Sequence, residues 1–363
     1  MKKLFLSAAT LLLLFCTITS CNAKKKVEDP PKAVNVIYMI GDGTALPQVF
    51  ASILASGKDL AFTQFPYIGI LDTRAANKDI TDSAAGGTAL ASDAKTNNGM
   101  IGMNPDTLAV ETILETLHDQ GKSTGVVVTS YVTHATPASF VAKVPKRSMY
   151  EDIAVQMAES EKLNLMIGGG LKHFNQRKDS IDLIQRMETE LGWKVYDTLY
   201  GIDTDCKKYA VLANDGHMPQ MPDRGNFLPE AVKIAIETLD KNEKGFFLMV
   251  EGSQIDFACH ANDSAYMVDE CVDFSNAIQV ALDYAKEKGN TLVLVTADHE
   301  TGGLTMPDLE GKYTNVSFHY STSSHTCLPV ILYAYGPGAE LFSGWMQNNT
   351  VKEKILKAVQ GEN

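Results

Sequence analysis

Phe246-Phe-Leu-Met-Val-Glu251-Gly-Ser-Gln-Ile-Asp256-Phe-Ala-Cys-His260 decides how the rest of the chain is read. Its opening apolar run has the character of a strand buried on both faces. Glu251, Asp256 and His260 follow it, three groups able to hold a metal ion. Asp256 and His260 are four positions apart, so a helix begun here would carry both on one face. Taken alone, such a cluster is also what a helix cap in a solvated loop looks like. The neighbouring strands separate the two readings.

Three more apolar runs end in the same way. Val34–Ile40 leads into Gly41-Asp42-Gly43, and Ser123–Thr129 leads toward His134 and Thr136. Thr291–Thr296 leads into Asp298-His299. Shorter strands are expected at 165–170 and 330–335. Helical periodicity appears between these runs, at 107–120, 151–160, 181–191, 228–241, 265–288 and 350–359. Alternation of this kind predicts an α/β fold, a three-layer sandwich with a mostly parallel central sheet and helices on both faces. Carboxyl ends of parallel strands share one edge, where ligands gather. One rim thus collects Asp42, His134, Thr136, Glu251, Asp298 and His299.

Asp82-Ser83 precedes a run of small helix formers, so a helix is expected to start there with its first amides open to an anion or a substrate. Either residue could serve only as a cap. Gly86 and Gly87 argue for more, because each costs about 1 kcal/mol against alanine inside a helix and calls for a close neighbour. Mixed carboxylate and histidine sets suit zinc, while Asp, Thr and Glu oxygens suit magnesium. Two zinc ions about 3.5 to 4 Å apart can clamp an in-line displacement at phosphorus. Ser83 is then a candidate nucleophile, and Arg147 offers a fork for phosphate oxygens.

The 363 residues carry 32 basic and 44 acidic side chains, a formal charge of −12. Residues 1–21 read as an exported leader: Lys2-Lys3, an apolar stretch to Phe15, then Ile18-Thr-Ser-Cys21. This pattern resembles a bacterial lipoprotein signal with Cys21 lipidated, followed by a flexible tether at 22–33. It predicts a protein held by lipid at the periplasmic or outer surface of a bacterial membrane. The acidic balance disfavours nucleic acid as a partner, since that affinity needs clustered Lys and Arg. Cys206, Cys259, Cys271 and Cys327 allow three disulfide pairings that sequence does not separate. Residues 193–226 are the least regular stretch and a candidate insertion. His118, His173, His217 and His319 are read as surface, structural or rim residues rather than ligands.

Gly41-Asp-Gly43, Asp82-Ser83-Ala-Ala, Ala135-Thr-Pro-Ala138 with Arg147, Glu251-Gly-x-x-Ile-Asp256, His260-Ala-Asn-Asp263, Thr296-Ala-Asp-His299 and His325-Thr326 together resemble the alkaline phosphatases. The match runs across nearly the whole body, which the resemblance reads as one catalytic domain at 34–363. It implies a first zinc on Asp256, His260 and His325, and a second on Asp42, Asp298 and His299. A magnesium ion would sit on Asp42, Thr136 and Glu251. It further implies attack by Ser83 on a phosphate monoester, a phosphoserine released by hydroxide on the first zinc, and Arg147 gripping phosphate in both steps. Broad substrate range and phosphate scavenging follow from contacts centred on the phosphoryl group.

Three residues depart from better-known members. His134 stands where some bacterial relatives carry Asp, and is a poorer outer partner for hydrated magnesium. Phe257 stands where others have Lys, His or Trp beside the phosphate. Cys259 replaces a common glycine. A phosphodiesterase or sulfate-ester hydrolase with the same metal core is the alternative reading. Arg147 and the absence of a Cys/Ser-x-Pro-x-Arg motif weigh against it. A non-catalytic metal- or phosphate-binding lipoprotein is the third reading. Only 26 positions separate His299 from His325, where larger relatives carry a domain involved in dimer contact, so the family homodimer has less support here.

Overall fold

The computed structural model describes residues 32–307 and 316–362. The expected leader, the lipidated Cys21 and nearly all of the tether lie outside the described residues. Ala33 already belongs to the body: it is buried, and its N–H donates to the Ala358 carbonyl at 2.9 Å.

Ten strands form one sheet: β1 (Asn35–Gly41), β2 (Tyr67–Asp72), β3 (Ser123–Tyr131), β4 (Leu165–Gly169), β5 (Lys194–Tyr196), β6 (Tyr209–Leu212), β7 (Phe246–Gly252), β8 (Thr291–Thr296), β9 (Val330–Tyr335) and β10 (Gly344–Gln347). Their spatial order is β10-β2-β9-β8-β1-β7-β3-β4-β6-β5. Every pairing is parallel except those of β9 with β2 and β8. The four strands read as ending in functional residues are therefore neighbours: β8, β1, β7 and β3. Their register sets Thr296, Ile40, Glu251 and Val128 in one row across the sheet. Asp42, Thr136 and Asp298 follow just beyond that row, which turns four separate stretches of sequence into one rim.

Side chains alternate between two apolar layers, as the period of a strand requires. Val36, Tyr38 and Ile40 face helices that include Ile113–Asp119, Tyr150–Glu159 and Val351–Gln360. Ile37 and Met39 face Leu46–Ser56, Phe227–Leu239 and the long Ser264–Lys288 helix. Among the described residues no helix is long and apolar enough to cross a membrane.

Several expectations change. The helix read at 107–120 begins only at Ile113, because Thr112 and Glu115 form a reciprocal capping box that overrides the looser periodicity before it. The stretch 193–226, read as a candidate insertion, supplies β5 and β6 at the sheet edge. The sequence reading assigned no element to β2, β10 or the Leu46–Ser56 helix. His173, read as surface, is buried between the Tyr131 and Tyr150 rings. All four body cysteines are free thiols. Burial pushes the Cys259 thiol well up, which keeps it protonated and unreactive.

Candidate active site and metal centres

The Ser83–Ala91 helix opens at the rim. Asp82 caps it by accepting from the Ala85 N–H at 3.0 Å, and Ser83 itself is buried. Both alternatives left by the sequence thus hold at once: Asp82 is the cap and Ser83 is presented to the site. Gly86 explains itself, since a Cβ there would come within 2.8 Å of the Asp298 carbonyl oxygen. The glycine lets the Asp298-His299 loop lie directly on the serine helix. Ser83 Oγ is accordingly 3.2 Å from His299 Nε2.

Three groups of potential ligand atoms lie within 4.8 Å of one another: Asp256 with His299 and His325, Asp42 with Asp298 and His299, and Asp42 with His134 and Glu251. His299 Nε2 is 3.4 Å from Asp42 Oδ1 and 3.3 Å from Asp298 Oδ2. His260 Nε2 lies 3.4 Å from Asp256 Oδ2 and 3.2 Å from His325 Nε2. All six expected zinc ligands therefore converge. His299, expected in the second set alone, also reaches the first, with its ring stacked on His325 at 3.6 Å.

The donors fit ions well. Both Asp42 oxygens, Asp298 Oδ2, Glu251 Oε1, Thr136 Oγ1 and His134 Nδ1 are buried without a hydrogen-bond partner. Leaving so many polar atoms dry would be costly unless a cation satisfies them. His260 and His325 direct Nε2 inward because Nδ1 of each is held by a backbone carbonyl, Ser323 at 2.8 Å and Thr81 at 2.9 Å. Thr301 Oγ1 donates to Asp256 and lies 3.2 Å from His299 Nδ1, a link that nothing in the sequence signalled. Ser253 and Ser130 hold Glu251 Oε2 at 2.6 and 3.2 Å.

Charge is distributed unevenly. Burial, then the Asp298, Asp256 and Glu251 charges, push Asp42 well above the carboxylate range. Burial raises Glu251 to about 7, and burial with the Asp256 charge raises Asp298 to about 6. Asp256 differs: burial pushes it up, but the His260 hydrogen bond and the surrounding histidines outweigh that and hold it well below the usual range. The bond to Asp256 raises its partner His260 to about 9.

Arg147 donates through one terminal nitrogen to Asp82 Oδ2 at 3.2 Å. Its other terminal nitrogen is 3.4 Å from His134 Nε2. The guanidinium is thereby held beside Ser83 with donors to spare for an anion. Phe257 packs its ring against His134 at 5.8 Å, so that wall is apolar.

A serine at a helix start, beside an anion-binding arginine and adjoining clusters of orphaned metal donors on the rim of a parallel sheet, defines a metal-dependent hydrolase. Residues 33–321 match the family model described as Alkaline phosphatase. Alkaline phosphatase 4 of Bacillus subtilis is 37% identical over 302 residues, covering 78% of this chain and 65% of that relative. Alkaline phosphatase 3 of the same organism is 30% identical, covering 93% and 91%. The alkaline phosphatase of the Antarctic bacterium TAB5 superimposes with a TM-score of 0.87 at 40% identity, over 91% of this chain and 99% of that one. The chain belongs to the alkaline phosphatase family. It spans just under two thirds of the length of alkaline phosphatase 4.

Proposed function

We propose that this chain hydrolyses phosphate monoesters to an alcohol and inorganic phosphate, with Ser83 as the group that receives the phosphoryl. The 3.2 Å approach of Ser83 Oγ to His299 Nε2, at the mouth of the orphaned carboxylates, carries this reading. Oγ forms a bond to phosphorus as the ester P–O bond opposite it breaks, and the leaving alcohol takes up a proton. Water then breaks the phosphoserine bond and returns the serine. Arg147, anchored by Asp82, holds non-bridging phosphate oxygens through both steps.

Zinc on Asp256-His260-His325 and on Asp42-Asp298-His299 would supply the charge that acidifies the serine hydroxyl and stabilises the departing oxygen. Asp42, Thr136 and Glu251 present oxygen donors suited to magnesium. His134 adds a nitrogen to that third group. Variants of the TAB5 enzyme with a histidine changed to Asp or Glu are described with magnesium in a site named M3. A carboxylate at His134 would add an oxygen donor to the third group here. The N-terminal leader fits a lipid-anchored enzyme outside the cytoplasmic membrane, where phosphate esters are scavenged.

The test is turnover of an aryl phosphate monoester by wild type and Ser83→Ala, with a strong chelator and after zinc is restored. Chelation should abolish turnover and zinc return it, and Ser83→Ala should lose on the order of 10³-fold or more. Chelator-resistant or Ser83-independent hydrolysis overturns the reading. Diester and sulfate-ester turnover, run beside it, should be far slower.

A further inference from the structure

His217 comes from the irregular stretch between β6 and the Phe227–Leu239 helix, yet its ring stands in the wall of the site. It lies 4.9 Å from the Phe257 ring and 5.8 Å from that of His134, whose Nε2 meets Arg147. The ring is held on several sides. Tyr131 stacks on it at 3.6 Å and 17°, and the Tyr131 N–H donates to its Nδ1 at 3.3 Å. Around it the backbone is pinned: the Asn214 amide donates to the His217 carbonyl, and the Met218 N–H donates to Thr129 at 3.1 Å. Gln254 Nε2 donates to the Met218 carbonyl at 2.8 Å. Farther along, the buried Arg224 pairs with Glu270 and Asp273 and fixes the loop to the long helix.

Accepting at Nδ1 leaves a neutral ring with its proton on Nε2, and no described protein group accepts from that atom. Burial and the Lys172 charge lower this histidine to about 4, in keeping with a neutral ring. So rigid a mount for one free N–H is what preorganised recognition needs. The neighbouring Phe257 offers no donor at all.

We propose that His217 is a substrate-positioning residue whose Nε2–H donates to the bound phosphate ester, on the wall where Phe257 supplies only an apolar face. This rests on the phosphomonoesterase reading.

The experiment compares metal-loaded wild type, His217→Phe and His217→Gln. Phe keeps the stack on Tyr131 without the donor, whereas Gln restores a donor near the Nε2 position. Calorimetric affinity for inorganic phosphate, KM and kcat for an aryl phosphate, metal content and thermal midpoint are measured on each. His217→Phe should weaken phosphate and raise KM by about tenfold, the scale of one hydrogen bond to a charged group. Its kcat should stay within about twofold. His217→Gln should recover most of the loss. Unchanged phosphate affinity in His217→Phe overturns the proposal, as does equal weakening in both variants, or a loss of bound metal that accounts for it. Wild type that binds phosphate through His217 without turning over a monoester would instead sink the function reading alone.

Discussion

Asp256 and Glu251 are five residues apart in sequence, yet they belong to regions with opposite electrostatics. Around Asp256 the proton sits on the base: His260 is raised to about 9 while the aspartate is held low. Around Glu251, Asp42 and Asp298 the protons sit on the acids, because burial raises all three and neighbouring carboxylates, Asp256 among them, add to it. His260 makes the first region an ion pair that is tolerable without metal, while burial lowers His299 and His325 to about 4 and keeps them neutral. The second is intolerable in its charged form until a cation arrives. Metal binding therefore displaces protons from both, but it relieves strain mainly in the second.

Removing one ligand from each region separates their duties most sharply. Asp256→Ala should cost turnover on the order of 10³-fold, since on the proposed reading it would remove a ligand of the first zinc. Glu251→Ala should cost about 10- to 100-fold, because on the proposed reading the cation it would help to hold lies with Asp42 in the third group and not with Asp256. Equal losses in a kinetic and metal-content comparison would erase the distinction. Thr301→Val tests the link between the regions, as Thr301 touches both Asp256 and His299. Metal affinity should fall about tenfold at both zinc sets, within the range for partners of metal ligands. A fall at one set only would show the regions to be independent.

The smallest effect is on stability. Glu251 and Asp298 hold protons in the folded, metal-free protein up to about pH 7 and 6, whereas the unfolded chain releases them near the ordinary carboxylate values. These two groups make the folded state bind extra protons between about pH 4.5 and 7 and lower its stability as pH rises there, while buried His299 and His325, lowered to about 4, act in the opposite sense up to about pH 6.5. The thermal midpoint of chelated wild type should fall relative to that of chelated Glu251→Gln across this window, and zinc with magnesium should remove the difference. A gap between the two proteins that does not change with pH would contradict the raised Glu251 carboxyl described above.

The strand-end residues were legible because a buried parallel strand announces itself as an apolar run, and whatever follows it must stand at the rim. Asp42, Glu251 and Asp298 needed nothing more. Gly86 was legible as an anomaly, and the Asp298 backbone against it supplied the cause. Thr301 was not legible, and His217 was legible only as a structural or rim residue. Thr301 acts across the Glu300-Thr301 and His325-Thr326 ladder, and His217 arrives on a loop whose path depends on Arg224 in the Ser264–Lys288 interface. The late start of the helix at Ile113 was encoded by Thr112 and Glu115, but a local cap is a fainter signal than periodicity.

Sequence by itself determined the layered α/β class and the family, because period, turn residues and motifs are local properties of a chain, and the roster of candidate ligands came with the family resemblance. Tertiary structure decided that β8, β1, β7 and β3 lie side by side in one register, that His299 belongs to two groups of candidate ligands, and that the His217 ring lies 4.9 Å from that of Phe257. Those are relations among residues up to about 250 positions apart, and only the packing of two apolar layers against one sheet brings them together.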